Sequence, residues 1–379
     1  MSGKTPGGFW RLYPAADLRV ARERPVAPPP PDNEFHGRKT GGRPGGDETN
    51  LAWHEQGEED MRQARPFRFG VFAEAARSPR ALLDTARRAE DCGYATLLLR
   101  DHFIAEPFGH QLAPLTALAT VAAGTTTLRV GSLVLSNDYR RPVMLAKEIA
   151  TLDVLSNGRV ELGLGAGFSQ AEYDHAGLSF DPPGVRVARL EEALRVLKGL
   201  FAAEPLTFSG KHYIVSQLDS FPKPVQRPHP PILVGAAGKR MLSIAAREAD
   251  IIGFQTVSTV HGGASHDPSV RLAPAVAQKI DWVRQAAGDR FSGIELSMVV
   301  TVVVGEDRRQ SAEQFAHKRG WDGISAAQVL EMPSLFFGSV DHIVDEMQER
   351  RERYGFSYFV IFDHAMDRAA PIVARLAGK

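Results

Sequence analysis

From Arg65 onward, short apolar runs of strand length alternate with longer stretches in which apolar residues recur every three or four positions. The runs are PFRFGVF (Pro66–Phe72), ATLLLRDHF (Ala95–Phe103), LRVGSLVLS (Leu128–Ser136), RVELGLGAG (Arg159–Gly167), PPILVGAAG (Pro230–Gly238), IIGFQ (Ile251–Gln255), IELSMVVTVVVG (Ile294–Gly305) and FSYFVIFD (Phe356–Asp363). Between them, Leu82, Ala86 and Ala89 share a helical face, with Gly93 placed to end that helix. Pro142 opens a helix that Gly158 stops, and Leu190, Leu194, Leu197 and Phe201 line one side of another. Strand and helix in strict alternation imply a parallel sheet with right-handed crossovers, and eight such units match a closed (β/α)8 TIM barrel. An open doubly wound sheet is the alternative on pattern alone.

Three stretches break the rhythm. Residues 204–230 hold a small hairpin (TFSGKHYIV) and a Pro-rich run, residues 257–272 read as a long loop, and residues 308–331 as short polar helices, so insertions are expected after strands 4 and 7. Residues 1–64 read as a separate leader, disordered by composition, with Pro28 to Pro31 in a row and GGRPGG at Gly41–Gly46. Met61, just ahead of the periodic region, suggests that the leader is an overlong start and that the protein proper is the barrel of residues 65–379; a regulatory tail is the competing reading. Lys plus Arg and Asp plus Glu number 45 each, so no net field draws the chain to nucleic acid or an anionic membrane. The single cysteine, Cys92, rules out an internal disulfide framework and fits a reducing, cytoplasmic setting. No apolar run is long enough to span a bilayer, and the first twenty residues lack a signal-peptide core.

In a barrel of this kind chemistry sits at the C-terminal ends of the strands. Strand 2 ends in Asp101 and His102, a carboxylate and an imidazole suited to binding a polar ring edge or moving a proton, or else to a loop-ordering ion pair. Strand 3 ends in Ser136 and Asn137, able to hydrogen-bond a planar heterocycle; Arg140 and Arg141 after them read as loop anchors. Strand 4 ends in Gly165, Ala166, Gly167 and Phe168, whose bare backbone would admit a ring or cradle a phosphate; Glu172 beyond it is either a loop capper or a site acid. Strand 5 ends in Gly235, Ala236, Ala237 and Gly238, a turn feeding a helix N-terminus that would seat an anion, with a plain tight turn as the alternative. No metal-ligand spacing, GxSxG elbow or P-loop is present, and no metal is expected.

The strings RVGSLVL from Arg129, RPVMLAKEIATLDVLSNGRVELGLGAG from Arg141 and PPILVGAAG resemble the luciferase-like monooxygenase superfamily, and within it the branch of coenzyme F420-dependent oxidoreductases typical of actinobacteria. The opening RPFRFGV and the NDYRRP segment point the same way, and the resemblance covers residues 65–379. It implies a barrel that binds F420, or alternatively FMN, at its C-terminal mouth and acts on a small-molecule substrate, in a superfamily where homodimers are common. It also implies a non-proline cis peptide on strand 3, best matched at Leu133–Val134 with Ser132–Leu133 as the fallback. Asp101 and His102 match the cofactor-contacting Asp and catalytic His of the superfamily's sugar-phosphate dehydrogenases, with His102 expected to transfer a proton and Asp101 to orient it or bind the ring edge. The loop Gly165–Phe168 and the turn Gly235–Gly238 match ring and phosphate contacts. Two departures stand out: Glu106 lies where those dehydrogenases carry a Trp, and Phe168 where they carry a Glu, so a glucose-6-phosphate-type substrate is not expected. Phe103, Phe108, Phe168 and Phe254 imply a more apolar pocket.

Overall fold

The computed structural model describes residues 65–379 apart from 75–77, 106–108, 257, 261–262 and 266, and the side chains of 257–266 are left undescribed. The expected leader at 1–64 lies outside the described residues, as do Glu106 and Phe108. The chain runs β1 (Arg68–Phe72), α1 (Pro79–Asp91), β2 (Thr96–Leu99), α2 (Pro114–Gly124), β3 (Arg129–Ser132), β4 (Leu135–Ser136), α3 (Pro142–Leu155) and β5 (Val160–Gly165). Next come α4 (Gln170–Ala176), α5 (Pro183–Phe201), β6 (Leu206–Ser209), β7 (Ile214–Leu218), β8 (Ile232–Ala236), α6 (Lys239–Glu248), β9 (Ile251–Phe254), β10 (Ser258–Val260), β11 (Gly263–Ser265) and α7 (Ala273–Ala287). It closes with β12 (Glu295–Val304), α8 (Arg308–Lys318), α9 (Ala326–Leu330), β13 (Leu335–Gly338), α10 (Val340–Tyr354), β14 (Phe356–Phe362) and α11 (Met366–Leu376).

Eight parallel strands pair in the order β1, β2, β3, β5, β8, β9, β12, β14 and back to β1, which makes a closed (β/α)8 barrel and excludes the open sheet. All eight apolar runs are barrel strands. The run Leu128–Ser136 is broken, however: β3 stops at Ser132, the Leu133–Val134 peptide is cis, and β4 resumes by pairing Leu135 with Leu164 of β5. Residues 257–272, expected as a loop, hold the antiparallel hairpin β10–β11 and a 3-10 turn at Pro268–Arg271. The hairpin β6–β7 lies between the fourth and fifth barrel strands. Between the seventh and eighth, β13 pairs with the outer half of β12, from Thr301↔Leu335 to Val304↔Gly338, and α8, α9 and β13 share a satellite core around Trp321, Met332 and Phe337. Among the described residues no helix is long and apolar enough to cross a membrane.

The barrel interior is filled in two layers. At the N-terminal ends of the strands, the carboxylate of Glu161 accepts from Arg68 (2.9 Å) and from the hydroxyl of Tyr358 (3.0 Å), while Arg68 also donates to Glu295 (3.1 Å). Burial works against the Arg68 charge, but the two carboxylates more than offset it and hold the guanidinium above its ordinary range. Above this polar floor, Phe72, Leu98, Leu133, Leu233, Ile251 and Val360 pack across the barrel. The floor and this layer close one end, leaving the strand C-termini as the mouth.

Strands β3 and β5 approach closely because β5 carries glycine where a side chain would intrude. Ser132 Oγ donates to the carbonyl of Gly163 (2.9 Å) and accepts from its N–H (3.0 Å), and a Cβ added at Gly163 would overlap the Ser132 carbonyl oxygen. Outside the barrel, Glu90 at the end of α1 accepts from the backbone N–H groups of Thr126 (2.9 Å), Thr127 (2.5 Å) and Leu128 (2.9 Å), fastening the turn that leads into β3. Burial alone would raise the Glu90 carboxyl, but these hydrogen bonds outweigh it and bring the group down to about 2.

Gly163→Ala is expected to destabilise the barrel by about 1–3 kcal/mol, read as a lower melting temperature, whereas Gly238→Ala, with nothing within 4 Å of the added carbon, leaves it unchanged. Because the folded-state value of Glu90 lies below the ordinary carboxylate value of 4.5, its contribution is present above that value and fades as pH falls through about 2. The stability gap between wild type and Glu90→Gln in denaturant titrations therefore closes on acidification; a gap that persists or grows refutes the clamp.

Candidate active site

At the end of β2 the chain turns through Arg100, Asp101 and His102. Asp101 is buried, and its two oxygens meet Arg140 in a two-pronged pair (2.5 and 3.0 Å) while Oδ2 also accepts the N–H of Ser136 (3.0 Å). Arg140 is thus the loop anchor its sequence suggests, tying the β2 end to the β4 end. Of the two roles expected of Asp101, orienting His102 or binding the ring edge, its hydrogen bonds show neither directly: its oxygens face the β4 loop.

The partner of His102 is Glu172. Nδ1 of His102 lies 2.9 Å from Glu172 Oε2, which also accepts from the hydroxyl of Tyr139 (3.0 Å). Glu172 Oε1 accepts the N–H groups of Phe103 (2.7 Å) and Ile104 (3.4 Å). Only 2% of Glu172 is exposed, so its charge is held almost entirely by these donors. Burial, and then the Glu172 carboxylate, push the Tyr139 phenol above its ordinary range, which keeps it protonated and donating. The sequence left Glu172 open between loop capper and site acid; it caps the Phe103–Ile104 backbone and at the same time holds the imidazole. Phe168, which stands at the position of the missing family Glu, packs its ring edge-on to His102 at 5.8 Å.

Beside His102 the mouth is walled by backbone. A Cβ on Gly165 would come within 2.7 Å of Val134 Cγ2, and one on Gly235 would meet Val134 Cγ1 at 3.3 Å and Gln255 Nε2 at 3.4 Å. Gly167 has φ +73°, and a side chain there would collide with the Tyr173 hydroxyl. Leu133, Val134, Gly165, Gly167 and Gly235 therefore converge where β3, β5 and β8 end. Ala166 follows Gly165 in this wall. Ala236 ends β8, and its carbonyl accepts the N–H of Gln255 (2.9 Å). Ala237 leads to Gly238, the N-cap of α6, where no side chain caps the helix and a Cβ added at Gly238 would meet nothing within 4 Å. The first-turn amides of this ten-residue helix, which opens with Lys239 and Arg240, suit an anion.

Ser136 and Asn137, expected to meet a heterocycle, make contacts within the protein. Asn137 is buried and its Nδ2 donates to the hydroxyl of Tyr213 in the β6–β7 turn (3.3 Å). It lines a polar cavity of about 470 Å3 with Arg140, Arg189 and Lys211, which includes no residue of the glycine wall. Ser136 meets Asp101 through its backbone, and its Oγ lies 3.5 Å from the Tyr173 hydroxyl. A second polar group, not expected from the sequence, stands on the β1–β14 side: Glu74 pairs with Arg100, and Asp363 accepts the Glu74 N–H (2.8 Å). Burial, reinforced by Asp363, pushes the Glu74 carboxyl up despite Arg100.

The arrangement combines a glycine-rich wall packed around Val134 and able to back a planar ring, a helix N-terminus with no side-chain cap and able to hold a phosphate, and an imidazole clamped by a carboxylate able to carry a proton. Those are the parts a ring-bearing redox cofactor requires of its protein.

Comparison with known proteins agrees. A glucose-6-phosphate dehydrogenase of Nakamurella multipartita described as F420-dependent is 32% identical over 254 residues, 65% of this chain and 71% of that one. The enzyme of the same name from Microbacterium testaceum is 30% identical over 335 residues, covering 80% and 93%. The solved structure of an F420-dependent secondary alcohol dehydrogenase in complex with an F420–acetone adduct shares the fold, with a TM-score of 0.64 at 18% identity over 82% of this chain and 98% of that one. The sequence model of the luciferase-like monooxygenase family matches residues 64–336, from ahead of β1 into β13. That span takes in the His102 loop, the glycine wall and the α6 turn together, and the chain belongs to the luciferase-like monooxygenase family.

Proposed function

We propose that the protein is an oxidoreductase that moves a hydride between coenzyme F420 and a small organic substrate at the barrel mouth. The observation that carries this reading is the Glu172–His102 pair beside the glycine wall, in a chain whose relatives include F420-dependent dehydrogenases. Val134 and the backbone of Gly165, Gly167 and Gly235 would back the ring, and the Gly235–Gly238 turn would hold the phosphate. Bound there, the deazaflavin supplies the hydride chemistry. A carboxylate on Nδ1 fixes the orientation of the His102 ring and assigns proton exchange to Nε2. As an alcohol is oxidised, its carbon gives up a hydride and its hydroxyl proton passes to His102; in reduction of a carbonyl both return. Phe168, edge-on to the imidazole, limits the water around it.

Calorimetric titration with F420 and, separately, FMN tests the cofactor assignment. Tight F420 and weak FMN binding is the expected result. The reverse would make the protein a flavin-dependent monooxygenase of the same family, to be followed by oxygen consumption.

His102→Ala is expected to lower kcat by about 100-fold or more with F420 affinity unchanged within a factor of about two. Glu172→Gln, which keeps the shape but loses the charge, is expected to lower kcat by about tenfold at unchanged KM. Parallel loss of cofactor affinity in both variants would reassign the pair to binding.

A further inference from the structure

The alternation of side chains along the barrel strands places a charged pair across the mouth from the glycine wall. On β1 every second residue faces the barrel axis. Arg68 belongs to the polar floor, a Cβ on Gly70 would meet the Tyr358 hydroxyl at 3.1 Å, and Phe72 belongs to the apolar layer above. On β2, Leu98 pairs with Phe72 and belongs to the same layer. The next inward positions are Glu74 and Arg100, and these two form an ion pair. The Arg100 guanidinium lies over the Phe72 ring at 4.5 Å, so the pair rests on the apolar layer. In the order of the eight strands, β1 stands opposite β8, which carries Gly235, and β14 stands opposite β5, which carries Gly165.

On the helix side His110, Gln111 and Leu112 close on Glu74 and leave a crevice of about 10 Å3, room for one water at most. The pair is not sealed, however: the Glu74 and Arg100 side chains keep 27% and 15% of their surface exposed. Asp363, at the end of β14, accepts the Glu74 N–H (2.8 Å), and His364 stacks on Phe362, which stacks on Phe72. Two carboxylates therefore stand with one guanidinium, and burial, reinforced by Asp363, holds the Glu74 carboxyl above its ordinary range. A further negative charge brought here is repelled by both acids. A hydroxyl can donate to the carboxylate and accept from the guanidinium, and so meets both groups without adding charge. His102 follows Arg100 by two residues, which keeps their Cα atoms within about 7 Å of each other.

We propose that the Glu74–Arg100 pair determines specificity, selecting a neutral substrate with a hydroxyl beside the reacting carbon, such as a hydroxy ketone or polyol. This rests on the oxidoreductase reading above. The neighbouring hydroxyl donates to Glu74 and accepts from Arg100, while the reacting oxygen meets His102. The substrate is thereby held on the β1–β2 side of the mouth, with its reacting carbon turned toward the ring backed by the opposite wall. An anion of the same size is disfavoured by Glu74 and Asp363, and a ketone without the hydroxyl gains nothing from the pair.

The test follows oxidation of reduced F420 by the full chain with three ketones of one carbon skeleton: hydroxyacetone, acetone and pyruvate. The wild type is expected to prefer hydroxyacetone over acetone by about tenfold in kcat/KM and to reduce pyruvate least. Glu74→Gln keeps the shape and loses the charge. It is expected to raise KM for hydroxyacetone about tenfold, with kcat for hydroxyacetone and both constants for acetone unchanged. Arg100→Lys, which keeps the charge but not the fork, is expected to raise the same KM about threefold. Unchanged F420 affinity shows that both variants fold. A wild type that prefers acetone or pyruvate, that reduces none of the three while binding F420, or whose preference survives both substitutions overturns the proposal. Equal loss of turnover on every ketone also overturns it, by giving the pair to the scaffold. If F420 does not bind the wild type, the cofactor assignment fails by itself. Saturation-transfer NMR of hydroxyacetone against acetone, on the wild type and Glu74→Gln alone, then still decides whether the pair recognises the hydroxyl.

Discussion

The carboxylate of Glu172 is the tie on which the geometry of the mouth depends. It gathers an imidazole and two backbone amides from the β2 loop and a phenol from the β4 loop onto one buried pair of oxygens supplied by α4. A buried charge is tolerated only when donors replace its water shell, and here each donor comes from a segment that would otherwise have unsatisfied polar groups. The interdependence runs both ways: the loops give the charge its solvation, and the charge gives the loops one conformation. Asp101 repeats the principle a few ångströms of chain away with Arg140 and Ser136, so two carboxylates lock the β2 loop against the β4 loop.

The same economy of contacts explains why the mouth is lined by backbone. Strands β3, β5 and β8 meet around Val134, and glycine at 163, 165 and 235 leaves room for it. The polar floor of Arg68, Glu161, Glu295 and Tyr358 fills the opposite end of the barrel from His102.

Much of this architecture was legible in the sequence because barrel strands are buried on both faces and read as unbroken apolar runs. The elements that escaped are those whose signals are short or mixed. Helix α4 has seven residues and buries only Glu172 and Tyr173, so it shows no apolar face. Strand β13 is four residues long and follows a polar segment. The break at Leu133–Val134 is invisible as pattern, since SLVLS is as apolar as a continuous strand; only the family resemblance located it. In the site, the strand-end rule points to His102 and the glycine turns, because it depends on topology alone. It did not find the partner of His102, because Glu172 lies 70 residues away and the sequence does not say which way a loop carboxylate turns. The contact of the Asn137 amide with Tyr213 was hidden for the same reason, since Tyr213 belongs to a hairpin outside the barrel alternation.

Strand β12 has a double allegiance. Its first half is barrel wall, between β9 and β14, and its second half projects beyond the wall to pair with β13. The segment carrying α8, Trp321 and α9 is therefore attached to the catalytic scaffold by a main-chain ladder whose bonds do not depend on side-chain identity. Such a joint lets evolution rewrite the segment wholesale, in length and in composition, without disturbing the strands that hold His102 in place.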